Sequence, residues 1–256
     1  MGELFTLIFK NPTINLLVFF YQFLNTLHIP GSFGFSIILL TVSIRVILHP
    51  FFKQQIDLSD KMNKAKPHLD ELQKKHKDDK KKLQEEQLKL YKEMGINPAS
   101  GCLFAIVQIP VFIALYQVLY SFFQNGKMSE TIIQINKALY FPAMKIANID
   151  TNFFGMNLAA SPAMYAKYGY YYLLIPVITA ILQYYQIALS TPQKNKPESG
   201  DQKKKSEDMQ QMMSSQMKLI FPVMIGYFSY SLPVGLSLYW NIFSLFSIWQ
   251  YRQKKK

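Results

Sequence analysis

The sequence predicts an all-α membrane protein with five spanning helices and a cytoplasmic helical hairpin. Three observations carry that prediction. Half of the 256 residues are hydrophobic and 17% are charged, against about a quarter in ordinary soluble domains. Five runs approach the roughly 20 apolar residues that a bilayer core requires. The net charge of +12 is gathered into blocks between those runs.

Residues 1–33 are apolar but interrupted by Lys10, Asn11 and Pro12. The run 13–27 is short and carries Asn15, Gln22 and Asn25, so an interfacial amphipathic segment on the extracytoplasmic side is expected. No basic stretch precedes it and no cysteine closely follows it, so neither a secretory signal nor a lipoprotein anchor is expected.

The first span, 34–52, has 19 residues and one fixed charge, Arg45. The second (101–123) and third (171–190) have none, and an extracytoplasmic loop, 124–170, joins them. The fourth, 212–232, holds Lys218 near its start. The fifth, 235–251, follows it through Pro233 and Val234, which force a tight hairpin. Pro110, Pro176 and Pro222 lie inside spans, where neighbouring helices re-satisfy the lost hydrogen bond.

Charge orients the spans. Residues 53–100 hold 12 lysines, 191–211 five, and the tail 252–256 four basic residues. With Lys218, 22 basic residues fall on one side and five on the other. The positive side is cytoplasmic, which puts the N-terminus outside and the C-terminus inside.

The segment 53–100 is a helical hairpin rather than a linker. Ile56, Met62, Ala65, Leu69 and Leu72 form an apolar seam at helical spacing. Asp78 and Asp79 can cap a second helix bearing Leu83, Leu90 and Met94, and Gly95 is placed to end it. Asn97 and Pro98 then open the next span. The charged faces suit a solvated coiled coil and also a contact surface for lipid headgroups, nascent chain or ribosome. Residues 191–211 have the composition of a flexible loop. Its lysine run lacks the aromatic interleaving of single-strand binders, so no specific nucleic-acid binding is expected.

Several chemistries are excluded. One cysteine, Cys102, allows no internal disulfide framework. His28, His49, His68 and His76 show no metal-ligand spacing, and no phosphate-binding loop is present. No nucleophile–base pair lies in the spans, so neither an enzyme nor a cofactor is expected.

Arg45 demands an explanation, because an arginine at mid-span costs about 2.5–3.5 kcal/mol. One reading is snorkelling to the cytoplasmic headgroups. The other is a water-filled groove. Thr41 lies one turn earlier on the same face, and Gln108, Gln183, Gln186, Tyr239, Trp240 and Asn241 supply further polar groups in the spans. No span holds an acidic residue, and an unpaired buried charge is costly. A wet groove lined by Arg45 and neutral polar side chains reconciles these facts, and such a groove attracts acidic ligands.

The runs IILLTVSIRVILHPFFKQQ (37–55), IVQIPVFIALYQVL (106–119) and FPVMIGYFSYSLPVGLSLYW (221–240), with the charged hairpin and Asn-Pro-x-x-Gly-Cys between the first two, resemble the YidC/Oxa1/Alb3 membrane-protein insertases over residues 12–251. The resemblance implies five helices enclosing a hydrophilic groove open to the cytoplasm and lipid but closed to the outside. It implies insertion and folding of newly made membrane proteins, alone or with the Sec translocon. The family's groove arginine, threonine, glutamine and fifth-span aromatic match Arg45, Thr41, Gln108 and Trp240, so the substrate-binding groove is expected from these with Gln183, Tyr239 and Asn241. Implied partners are nascent clients, the lipid bilayer, the Sec translocon and the ribosome. The basic tail with which some relatives hold ribosomes is reduced here to Arg252 and three lysines. The large periplasmic domain and extra N-terminal anchor of many Gram-negative members are not expected. With no Arg/Ser-rich transit stretch, the expected location is the bacterial cytoplasmic membrane. The competing classes are a small transporter with Arg45 as an anion site, disfavoured by the lack of two similar halves, and a passive assembly scaffold.

Overall fold

The computed structural model describes residues 2–76, 79–97, 99–123, 128–190 and 209–254; the side chains of 80, 99–108, 122–123, 128–129, 209–217 and 254 fall outside that description. The loop expected at 191–211, the Asp78 cap and the Pro98 helix start therefore lie wholly or largely outside it.

Helix α1 (Glu3–Thr26) is continuous through the interruption at Lys10–Asn11–Pro12. Residues Thr6–Lys10 form a π-helical turn, closed by the Asn11 N–H on the Thr6 carbonyl. That wider turn accommodates Pro12, which has no N–H to give and whose ring would otherwise crowd the preceding turn. The helix is long and apolar enough to cross a bilayer. Three of its polar residues are nonetheless bonded to the segment 138–148. Asn15 donates to the Ala138 carbonyl at 2.9 Å and accepts from the Tyr140 N–H at 2.7 Å. The Tyr21 hydroxyl meets the Asn148 carbonyl and Gln22 the Lys145 carbonyl.

Helix α2 (Ser32–Ile47) ends earlier than the sequence suggests. The chain bends by 68° at Leu48 and continues as α3 (His49–Lys75). Pro50 explains the break: it has no N–H to give the Val46 carbonyl and its ring crowds that turn, whereas the first turn of the new helix tolerates it. Arg45 consequently stands in the last turn of α2, where a cation complements the helix dipole.

The hairpin pairs α3 with α4 (Lys80–Glu93) over a small core of Ala65, Tyr91 and Ile96, flanked by Leu58, Met62, Leu69 and Met94. The Asp79 carboxylate accepts the Lys82 N–H at 3.0 Å, and Gly95 takes φ +60° to close the helix. Ser59 donates to the Ser190 carbonyl at 2.7 Å, tying the hairpin base to the end of the helix Leu174–Ser190.

Helices α5 (Ala99–Phe123) and α6 (Met128–Ala138) follow. A two-stranded antiparallel hairpin comes next, β1 (Asn152–Phe153) with β2 (Met156–Asn157), turned by Phe154 and Gly155. Helix α7 (Leu174–Ser190), α8 (Met209–Ser231) and α9 (Val234–Lys254) complete the chain. Helix α7, extended at its start to Tyr170, also meets the length and apolarity of a span. The hairpin region caps α9: the Val234 and Gly235 N–H groups, which have no partner inside their own helix, donate to the Ala160 and Leu158 carbonyls at 2.9 Å.

The main core joins α1, α2, α5 and the start of α9 through Leu17, Phe33, Ile37, Leu40, Leu115, Leu119 and Leu236. Small residues bring α7, α8 and α9 close, as in other membrane helix packing. Ser229 lies 2.7 Å from Ser237 and 3.2 Å from Thr179, hydroxyl to hydroxyl.

Candidate functional site

The site grows from the end of α2. Arg45 is 2% exposed and turns inward to α9 rather than out to solvent. Nη2 donates to the Phe243 carbonyl at 2.9 Å and to the Ser247 hydroxyl. Nη1 reaches Gln250 Oε1 at 3.4 Å. The Gln250 amide nitrogen lies 3.2 Å from His49 Nδ1, so one glutamine links the arginine to the first residue of α3. The bend at Leu48 also carries Phe52 back over the guanidinium. Its ring centre is 3.9 Å from the guanidinium carbon, and that of Phe243 is 3.7 Å. Two rings and neutral oxygens thus stabilise the charge.

This polar spine follows from the sequence of α9. Ser237, Asn241, Ser244, Ser247 and Gln250 recur at steps of four, then three. A step of three falls short of a full helical turn, so the stripe winds round the helix and its partners change. Ser237 meets Ser229 of α8. Ser244 donates to Gln183 Oε1 of α7 at 3.1 Å. Ser247 and Gln250 meet Arg45 of α2.

A cavity of about 30 Å³ opens between these helices, lined by Arg45 of α2, Phe52, Gln55 and Ile56 of α3, Gln186 and Ser190 of α7, and Ser247, Gln250 and Tyr251 of α9. It is large enough for a water or two. Arg45 Nε, Gln186 Oε1 and Asn241 Oδ1 are buried and have no hydrogen-bond partner among the described residues. The first two belong to residues of the cavity wall. One wall therefore offers a donor on a fixed cation, suited to an anionic or other accepting group, and another a free acceptor, suited to a hydroxyl or N–H.

The other expected groove residues are distributed along the bundle. Thr41 is buried one turn before Arg45, and its hydroxyl is spent on the Ile37 carbonyl at 2.7 Å. Gln183 is buried against Ser244. Tyr239 is buried in the main core, and Trp240 stacks on Phe112 of α5 with centroids 5.4 Å apart. The side chain of Gln108 lies outside the described residues. Sequence reasoning missed Ser247, Gln250, Phe52, Phe243 and Tyr251. The first two were discoverable from the α9 stripe; the rings carry no sequence signal for the cation they cover.

Comparison with known proteins is consistent with this architecture. The family described as 60Kd inner membrane protein matches residues 23–256. Inner membrane ALBINO3-like protein 2, chloroplastic, of Chlamydomonas reinhardtii is 33% identical over 256 residues, covering 97% of this chain and 57% of its own. Membrane protein insertase YidC of Rickettsia africae is 31% identical, covering 95% of this chain and 38% of its own. An active YidC insertase crystal structure with the first transmembrane domain resolved aligns over 94% of this chain and 46% of its own, at 27% identity and a TM-score of 0.57. The chain thus spans roughly two fifths to just over half the length of these relatives.

Proposed function

The chain belongs to the YidC/Oxa1/Alb3 family of membrane protein insertases, and on that premise we propose that it inserts and helps fold newly made membrane proteins, alone or with the Sec translocon. The observation that carries the reading is a buried Arg45 whose hydrogen-bond acceptors are all neutral, set on a cavity with an unused donor and acceptor.

Neutral acceptors hold the guanidinium in the resting protein. A client carboxylate would form charge-assisted bonds roughly twice as strong as neutral ones, so it can displace them. Displacement frees α9 from α2 and opens the space between α2, α3, α7 and α9 to the client. Thr41, Gln108, Gln183, Tyr239, Trp240 and Asn241 would line the path as the groove widens. The client's polar terminus then crosses a shortened dry path instead of about 30 Å of hydrocarbon. Its apolar segment leaves sideways into lipid, and that transfer supplies the driving force. The membrane potential pulls acidic segments outward.

In the same reading the basic hairpin and tail face the cytoplasm. Helix α1 lies along the outer interface, a placement supported by its bonds to the loop 138–148 through Asn15, Tyr21 and Gln22. The expected location is the bacterial cytoplasmic (inner) membrane.

The test is reconstitution of the full chain into liposomes and measurement of protease-protected insertion of a small client with an acidic terminus. Insertion above empty liposomes, lost in Arg45→Ala, supports an autonomous insertase with a working groove charge. Wild-type insertion unchanged in Arg45→Ala would overturn the groove mechanism. Anion flux without insertion would identify a transporter instead.

A further inference from the structure

The tip of the β-hairpin combines two features that oppose each other. Phe154 takes φ +48°, in the left-handed region that bulky side chains disfavour. Burial within the chain does not offset this, because the residue is 80% exposed. Gly155 at φ +78° completes a two-residue turn in which asparagine or aspartate would be the usual first member.

Phe154 belongs to a larger apolar tip. Its ring centre lies 4.7 Å from that of Phe153 and 5.9 Å from that of Phe35. Tyr171 donates its hydroxyl to the Gly155 carbonyl at 3.3 Å, and the preceding Tyr170 is 78% exposed. The turn Tyr170–Leu173 runs directly into α7, where Leu174, Val177 and Ile181 are exposed as well. The tip is therefore continuous with the outward apolar face of a helix long enough to cross a bilayer. Tyrosine at such a junction suits a boundary between hydrocarbon and water.

We propose that Phe154, Tyr170 and Tyr171 form a lipid-interface anchor at the outer end of α7. The Phe154 ring enters the edge of the bilayer, the two tyrosines sit at headgroup level, and together they fix the depth of α7. The anchor rests on the reading of α7 as a span, and the experiment separates the two.

The full chain carrying Cys102→Ser would be labelled with a nitroxide at Phe154→Cys, Tyr170→Cys, Ile181→Cys or Leu88→Cys and reconstituted into phosphatidylcholine vesicles containing anionic lipid. Power saturation with oxygen and with a polar nickel chelate reads the depth of each label. Labels at 154 and 170 are expected to be relaxed more by oxygen than by nickel, at a shallower depth than 181, while 88 reads as aqueous. Labels at 154 and 170 that match 88 while 181 stays in lipid would overturn the anchor and leave the span standing. A label at 181 that also matches 88 would overturn the span and the anchor with it. Phe154→Asn, which suits the turn better and should fold, is expected to shift the label at 170 toward the aqueous value. No shift would count against the anchor.

Discussion

Arg45 and Phe243 meet twice: Nη2 donates to the Phe243 carbonyl at 2.9 Å while the Phe243 ring centre lies 3.7 Å from the guanidinium carbon. One residue of α9 thus supports the charge with both its backbone and its ring. Lysine keeps the charge at position 45 but lacks the planar fork that stacks on rings while bonding at its edge. Arg45→Lys is expected to retain most insertion of an acidic client. Arg45→Glu should lower it on the order of tenfold or more, the change that roughly 1.4 kcal/mol of lost binding produces. Protease-protected yield in liposomes measures both, and equal yields would show that shape rather than charge acts in the groove.

Gln250 is the joint between α9, α2 and α3. Gln250→Leu leaves Arg45 Nη1 without its acceptor and His49 without its polar neighbour. Loss of a partner to a buried donor costs about 1–3 kcal/mol, so the variant should unfold at lower temperature in detergent. Gln250→Glu is expected to recover or exceed wild-type stability, because it supplies the carboxylate that Arg45 lacks. It should also insert acidic clients poorly, since its own carboxylate occupies their place. A Glu variant with normal insertion would argue against competition for Arg45.

How far these features were legible depends on the range of the interaction. A single arginine in an apolar run was visible at once, as were Asp79 before α4 and Gly95 after it, because each acts on its own few residues. The sequence places Arg45 in the middle of an apolar run, whereas it stands in the last turn of α2, because hydropathy counts Ile47 and Phe52 alike as apolar and is blind to the turn that Pro50 imposes between them. The polar residues of α1 are legible as a polar face, but not the partner that Asn15 meets there, a loop more than a hundred residues away. Phe52 and Phe243 come together only after the chain has bent, so no local pattern marks them.

Gly34 shows how closely the hairpin packs on α2. A Cβ there would overlap the ring of Phe153, which is itself buried. Overpacking of this kind costs about 1–3 kcal/mol, so Gly34→Ala should lower the thermal midpoint. Phe153→Leu alone should cost stability as well, but combined with Gly34→Ala it should cost less than the two losses added. A double-mutant cycle with no coupling between the sites would contradict the packing described.

Tyr172 gives the sharpest test of the loop that caps α9. Its ring is fully buried, and its hydroxyl accepts the Asn157 N–H at 2.7 Å. Asn157 in turn accepts from the Thr151 hydroxyl and the Ala159 N–H at 2.9 Å. These bonds position the strand whose next residues, Leu158 and Ala160, receive the first N–H groups of α9. Tyr172→Phe removes one oxygen and leaves the Asn157 amide without that acceptor, a loss of about 1–3 kcal/mol. If the loop transmits order to α9, hydrogen exchange should accelerate at Asn157 and also at Val234 and Gly235. Acceleration confined to Asn157 would mean that the start of α9 holds its place without the hairpin.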